Sequence, residues 1–337
     1  AGTTVLGTDE GVLAAVGLAD LVAARTASHT GAELGVTGAT IGGAIDASAK
    51  LAEKLSAPVC CNYQHNDAFP GSHPLSVGPL GYNGSKAAME LISKADVVLA
   101  LGTRLNPFST LPGYGIDYWP KDAKLIQVDI NADRIGLTKP VVVGIQGDAK
   151  KVAEALTEKI SSDGDKEREA LIHKTKSAWL QTLSSMDHED DDPGTSWNER
   201  ARDREPSKMS PRMAWRAIQQ AMPKDAIISS DIGNNCAIGN AYPTFEKGRK
   251  YLAPGLFGPC GYGFPAICGA KVGQPDVPVI GFAGDGAFGI SMNEMTASGR
   301  DDWPAITMVI FRNYQWGAEK RNTTLWFDDN FVGTELD

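Results

Sequence analysis

The sequence predicts an α/β protein built from two doubly wound parallel-sheet domains, and two observations carry that expectation. Between residues 38 and 160, short apolar runs of strand length alternate with segments of helical spacing, the pattern of a parallel sheet covered by helices on both faces. Nearer the C-terminus a strand, a helix and a second strand follow one another over residues 278–311. That order implies a right-handed parallel crossover, which puts both strand ends on one edge of the sheet.

The first domain is read as residues 1–160. Its opening 37 residues are atypical, because residues 25–37 mix Ser, Thr, Gly and Ala and carry little strand character. Helix 45–55 follows, then strand 58–61, helix 85–93, strands 96–101, 124–128 and 141–143, and helix 149–160. Residues 161–208 are polar and charged and are read as a linker with a helix and an acidic loop. The loop is the run HEDDDPG at 188–194, which lacks calcium-loop spacing and is taken as a solvated surface segment.

The second domain is read as residues 209–337. Ser210 and Pro211 supply an N-cap and a first-turn proline for a helix extending to Met222. A strand at 226–228 is followed by the turn SSDIGNN at 229–235. The apolar run 278–283 stops at Gly284, Asp285 and Gly286, helix 288–299 follows, and strand 306–311 stops at Arg312 and Asn313.

Asp285 and Asn313, 28 positions apart at the ends of neighbouring parallel strands, are expected to converge. A carboxylate, an amide oxygen and a nearby backbone carbonyl, that of Gln315, make a hard oxygen set suited to magnesium, which takes its remaining ligands from phosphates and water. Gly284 and Gly286 let a bulky anion approach the backbone, and the helix start at Ala287 adds favourable partial charge. These residues together read as a divalent-metal and diphosphate clamp.

Composition sets bounds but identifies nothing. At 337 residues the chain is long enough for two domains with substantial cores. Its 32 basic and 41 acidic residues give a net charge of −9, which argues against a general nucleic-acid surface. The five cysteines, Cys60, Cys61, Cys236, Cys260 and Cys268, form no metal-binding spacing and read as reduced thiols of a cytoplasmic protein. No apolar stretch approaches membrane-spanning length, and the N-terminus lacks a signal-peptide layout.

The strand, GDG, helix, strand, Asn order resembles the motif of thiamine diphosphate enzymes. The resemblance extends upstream: residues 229–235 are similar to a turn that contacts the cofactor diphosphate in that family, through Gly233, Asn234 and Asn235, and residues 255–265 (GLFGPCGYGFP) to the loop that holds the aminopyrimidine. There the resemblance gives Gly258 a carbonyl acceptor for the pyrimidine amino group. Cys260 stands where a larger apolar residue normally props the cofactor in its bent shape, so neighbours are expected to supply part of the prop. It also implies that residues 1–160 are the family's central domain and that the cofactors are thiamine diphosphate and Mg2+. The family's pyrimidine domain, with its activating glutamate, matches nothing in residues 1–337, and the diphosphate domain stops early, so the chain by itself is expected to be an inactive fragment.

Within the family, the runs CCNYQHNDAFPG (60–71), NPFSTLPGY (106–114) and NYQWGAEKRN (313–322) resemble the sulfoacetaldehyde acetyltransferase branch. That implies conversion of sulfoacetaldehyde and phosphate to acetyl phosphate and sulfite, with the acetyl group carried on the cofactor, in a homodimer or homotetramer. Both substrates are anions, so Lys320 and Arg321 are candidate substrate contacts, with surface helix charge as the alternative. Arg312 replaces an Asn common in relatives, and His65 and His73 are either site residues or incidental loop residues. An acetolactate synthase or 2-oxoacid decarboxylase, and a non-enzymatic cofactor-binding module, are the rival readings.

Overall fold

The computed structural model describes residues 4–6, 32–36, 42–161, 164–188, 209–254 and 257–336. They form two compact units, one of Ala1–Glu205 with Thr244–Gly248, the other of Pro206–Pro243 with Arg249–Asp337. The acidic residues 189–194, and Gly255 and Leu256 of the loop singled out above, lie outside the described residues.

The first unit is built on seven parallel strands: β1 (Thr4–Leu6), β2 (Ala32–Val36), β3 (Val59–Cys61), β4 (Ser76–Pro79), β5 (Val97–Leu101), β6 (Lys124–Asp129) and β7 (Val143–Gln146). They lie in the order β1-β7-β6-β5-β2-β3-β4. β5 is buried along its whole length, as a central strand covered on both faces must be. Helices α1 (Ile45–Leu55), α2 (Lys86–Ile92) and α3 (Ala149–Lys159) bring Leu51, Leu55, Met89, Ile92 and Leu156 into the same core as Leu99 and Ile126. The caps follow their sequence signals, Ser85 accepting from the Ala88 N–H and Asp148 from the Lys151 N–H.

Residues 25–37, read as having little strand character, contain β2, which pairs with β5 on one side and β3 on the other. This corrects the sequence reading. The sequence AELGV is a poor strand former alone, and pairing on both edges overrides that preference. The expected strand 141–143 is also displaced, since the ladder begins at Val143 and continues through Gly144 to Gln146. α4 (Lys166–His188) lies in the stretch read as linker. It is pinned to the first unit by Arg168, which is buried, donates to the Leu55 carbonyl at 2.8 Å and pairs with Asp165 at 3.1 Å.

The second unit holds four parallel strands, β8 (Ile227–Ser230), β9 (Tyr251–Leu252), β10 (Val279–Gly284) and β11 (Thr307–Phe311), in the order β11-β10-β8-β9. Its helices are α5 (Pro211–Ala221), α6 (Asn234–Gly239), α7 (Gly263–Gly273), α8 (Asp285–Ser291), α9 (Met295–Ser298) and α10 (Gly317–Trp326). The single helix expected at 288–299 starts earlier, at Asp285, and is interrupted by a 3-10 turn at Met292–Glu294. Ser210 caps α5 by accepting from the Met213 N–H at 3.2 Å, with Pro211 in the first turn. From β8 the chain moves to β9 on one side, and from β10 to β11 on the other. Such a reversal opens a crevice at the carboxyl ends of the strands, where ligands bind in open α/β sheets.

Trp215 on α5 fixes one face of this sheet. Its ring lies 4.5 Å from that of Phe282 and 5.5 Å from that of Phe311, and its indole N–H donates to the Asn235 carbonyl at 3.1 Å. Gly239 on α6 must be glycine, because a Cβ there would sit 2.3 Å from the indole. Trp215→Ala is expected to lower stability by about 3–5 kcal/mol, whereas Trp215→Phe, which keeps one ring but leaves a small cavity beside Gly239 and orphans one carbonyl, costs about 1–3 kcal/mol. Chemical denaturation of the two variants checks the order; equal losses would mean the ring stack contributes little.

Candidate functional site

The site is assembled at the carboxyl edge of the second sheet. Parallel pairing of β10 with β11 sets Gly284 opposite Phe311, and pairing with β8 sets Phe282 opposite Ser230. The next residues of all three strands therefore emerge together. They are Asp231 after β8, Asp285 after β10, and Arg312 and Asn313 after β11.

Asp285 opens α8, and its carboxylate is held by backbone donors. Oδ1 accepts from the Gly286 N–H at 3.1 Å, and Oδ2 from the N–H groups of Asn313 and Tyr314 at 3.2 and 2.7 Å. The expected convergence of Asp285 and Asn313 is thus a direct contact. Tyr314 adopts φ 58°, a left-handed turn that lets both N–H groups face one oxygen. Asn313 Oδ1 accepts from the Gln315 N–H at 3.3 Å.

Gln315 is oriented from the other side by residues 334–336. The Trp316 N–H donates to the Thr334 carbonyl and the Leu336 N–H to the Tyr314 carbonyl, both at 2.8 Å. Gln315 is thereby the non-hydrogen-bonded member of an antiparallel bridge with Glu335. Such a residue turns its own N–H and C=O away from the partner strand, and here the N–H meets Asn313 Oδ1. Carboxylate, amide oxygen and backbone carbonyl are all hard oxygen donors, the chemistry of a small divalent cation. Among the described residues there is no cluster of three or more His, Cys, Asp or Glu that could hold a metal.

The turn after β8 closes on the same point. A Cβ on Gly317, the first residue of α10, would lie 2.9 Å from Asn313 Nδ2 and 3.0 Å from Asn234 Nδ2, so both amide side chains meet at the start of this ten-residue helix. Gly233 takes φ 134°, and a Cβ there would stand 3.1 Å from the Asn235 Oδ1. Asn235 is itself buried and lies near Gly284. A Cβ on Gly286 would sit 2.9 Å from the Trp316 ring, and the Ala287 side chain is buried.

On the far side of Asp231 lies the loop with Gly258 and Cys260. Gly258 takes φ 72° and donates to the Pro254 carbonyl at 2.8 Å, with open space where a Cβ would be. The Cys260 thiol is half-buried and is pushed above its usual range, by burial first and by Asp231 and Glu319 next. Sequence reasoning placed Asp231 in a turn but gave it no role. Its side chain is fully buried and accepts N–H groups from Ile232 at 2.8 Å, Gly261 at 3.0 Å and Gly263 at 2.7 Å. An acid immediately after an apolar strand, as at Asp285, was the signal that could have marked it.

The structure gives the candidate substrate contacts partners within this unit. Lys320 pairs with Glu335 and lies 4.9 Å from the Phe331 ring, and Arg321 beside it is half-buried. The Arg312 guanidinium stacks on Tyr314 at 4.1 Å. In the first unit, His73 accepts the Leu75 N–H at Nδ1, which leaves the proton on Nε2 for Glu53 at 3.1 Å. That is a loop-holding role. Burial lowers the pKa of His65, against the pull of Asp67 and with that of Arg104.

All five cysteines are free, and among the described residues no helix is long and apolar enough to cross a membrane. Residues 35–156 match the thiamine pyrophosphate enzyme central domain, and residues 231–337 the C-terminal TPP binding domain of the same enzymes. The chain is 79% identical over 303 residues to a probable sulfoacetaldehyde acetyltransferase of Rhizobium meliloti, covering 89% of this chain and 51% of that protein. It is 78% identical over 304 residues to the sulfoacetaldehyde acetyltransferase of Roseovarius nubinhibens, covering 89% and 50%. A probable acetolactate synthase large subunit of Methanocaldococcus jannaschii is 30% identical over 291 residues, covering 83% and 46%. The chain spans about half the length of the curated relatives it matches. The oxygen donors at the carboxyl edge of β10 and β11 lie inside the second matched region, and with the first match they place the chain in the thiamine pyrophosphate enzyme family.

Proposed function

We propose that the chain is the central and cofactor-binding part of a sulfoacetaldehyde acetyltransferase, converting sulfoacetaldehyde and phosphate to acetyl phosphate and sulfite with thiamine diphosphate and Mg2+. The observation that carries this is the convergence of Asp285, Asn313 and Gln315 in a chain so similar to proteins of that name. Asp285 and Asn313 offer side-chain oxygens to the metal, and Gln315 its carbonyl. Gly233, Asn234 and Asn235 face the diphosphate from the β8 side, while Gly284 and Gly286 keep the backbone of the β10 turn close. Gly258 and Cys260 flank the aminopyrimidine.

Thiamine diphosphate, when bound, supplies the carbon nucleophile for an aldehyde carbonyl. The residues of this chain position it. Three backbone N–H groups hold the Asp285 carboxylate in one orientation, so a metal ligand needs no reorganisation on binding. Lys320 and Arg321 are the candidate contacts for a substrate anion, and Lys320 also pairs with Glu335. A cytoplasmic homodimer or homotetramer belongs to the same reading, the location supported by the five free cysteines and the assembly by the family to which the chain belongs.

Three outcomes test it. Asp285→Ala should weaken magnesium-dependent thiamine diphosphate binding by more than about 100-fold, while Asp190→Ala in the acidic run leaves it unchanged; titration calorimetry with and without magnesium separates these, and equal loss from both would sink the clamp. Gly317→Ala should weaken binding about tenfold with little change in unfolding midpoint, because the added methyl displaces the Asn313 and Asn234 amides. Completed to the length of its relatives, the protein should release sulfite and acetyl phosphate from sulfoacetaldehyde plus phosphate. Turnover of pyruvate alone would move it to the acetolactate synthase branch.

A further inference from the structure

We propose that Asp231 is a positioning residue that fixes the loop at 258–263 to the sheet, and so sets where the pyrimidine end of the cofactor rests. The inference builds on the thiamine diphosphate reading above and adds a role to a residue that contacts neither metal nor substrate.

Asp231 is anchored before its side chain acts. It follows β8 directly, and its own N–H donates to the Phe282 carbonyl on β10 at 2.7 Å. From that fixed point the carboxylate gathers donors 30 and 32 residues further along the chain, Gly261 on Oδ1 and Gly263 on Oδ2, together with the adjacent Ile232 on Oδ1. The loop needs such a tether, because glycines at 258 and 261 with φ 72° and 87° give the unfolded chain wide freedom that must be lost on folding. Both its glycines at the tether are constrained sterically. A Cβ on Gly263 would come within 3.0 Å of the Asp231 Cβ, and one on Gly261 within 2.7 Å of Ile290.

Only a carboxylate fits. Three N–H groups point at two oxygens, and an amide would present an N–H of its own to one of them. Burial raises the pKa of Asp231 while the backbone bonds from Gly263, Ile232, Gly261 and Tyr262 lower it. The group is therefore retained in a costly location, where its bonds to the loop are its evident return.

The experiment compares two ligands on the chain as it is. Thiamine diphosphate with magnesium engages both ends of the site, and inorganic pyrophosphate with magnesium engages the metal end alone. Asp231→Asn should weaken thiamine diphosphate binding at least tenfold, the loss of charge-assisted bonds to the loop, and leave pyrophosphate binding within about twofold of the unaltered chain. Gly263→Ala keeps the carboxylate but pushes the loop from it, and should show the same split; it decides the matter if Asp231→Asn does not fold. Asp231→Glu, which retains both oxygens, should recover part of the difference. Parallel weakening of both ligands would make Asp231 a general structural residue and overturn the proposal, as would unchanged affinity for both. An unaltered chain that binds pyrophosphate but shows no preference for thiamine diphosphate would overturn the cofactor reading itself.

Discussion

The parallel alignment of β10 between β8 and β11 is the constraint on which the second unit depends. It brings three strand ends to one edge, and the Asp285 carboxylate then ties two of them by accepting the N–H groups of Asn313 and Tyr314. The same bonds satisfy backbone donors of a tight turn and leave the remaining lone pairs of the carboxylate for a ligand. Fold and site are in this respect one structure. A change that slid β11 by one residue would turn Asn313 to the opposite face and separate the two side chains without touching either.

The pairing of Asp285 with Asn313 was legible because it rests on local regularities. Apolar runs of strand length stop at glycine and polar residues, and a crossover of one hand leaves one place for the strand ends to meet. β2 was not legible, since AELGV has no strand preference of its own and acquires its conformation from neighbours on both edges. The break in the helix after Asp285 was hidden for a related reason: no proline stands at Met292–Glu294 to announce it.

Side-chain partners were less accessible still. Glycine at 286 suggested close approach of an anion, and it has a second reason that the sequence hid: the ring of Trp316, thirty residues on, occupies the space a Cβ would need. Lys320 suggested a free cation, but residues 331–336 return to give it Glu335 and the face of Phe331. Asp231 had the right chemistry in the right place, and its donors lie on a loop whose return to β8 no periodicity reveals. What a sequence shows well is which groups share an edge; what it conceals is which of them are already satisfied.

That distinction bears on how charge is balanced under the proposed function. A diphosphate brings several negative charges to an edge that already carries Asp285. Of the nearby cations, Lys320 is paired with Glu335, and Arg312 lies over the Tyr314 ring. Neutral amides from Asn234 and Asn313 and the first turn of α10 contribute partial charges only. A divalent cation held by Asp285 and Asn313 would then supply the main counter-charge under that proposal. Under the proposed function metal and cofactor would then bind as a coupled pair, each raising the affinity of the other by the same factor, because the cation would offset the like charges of the Asp285 carboxylate and the diphosphate.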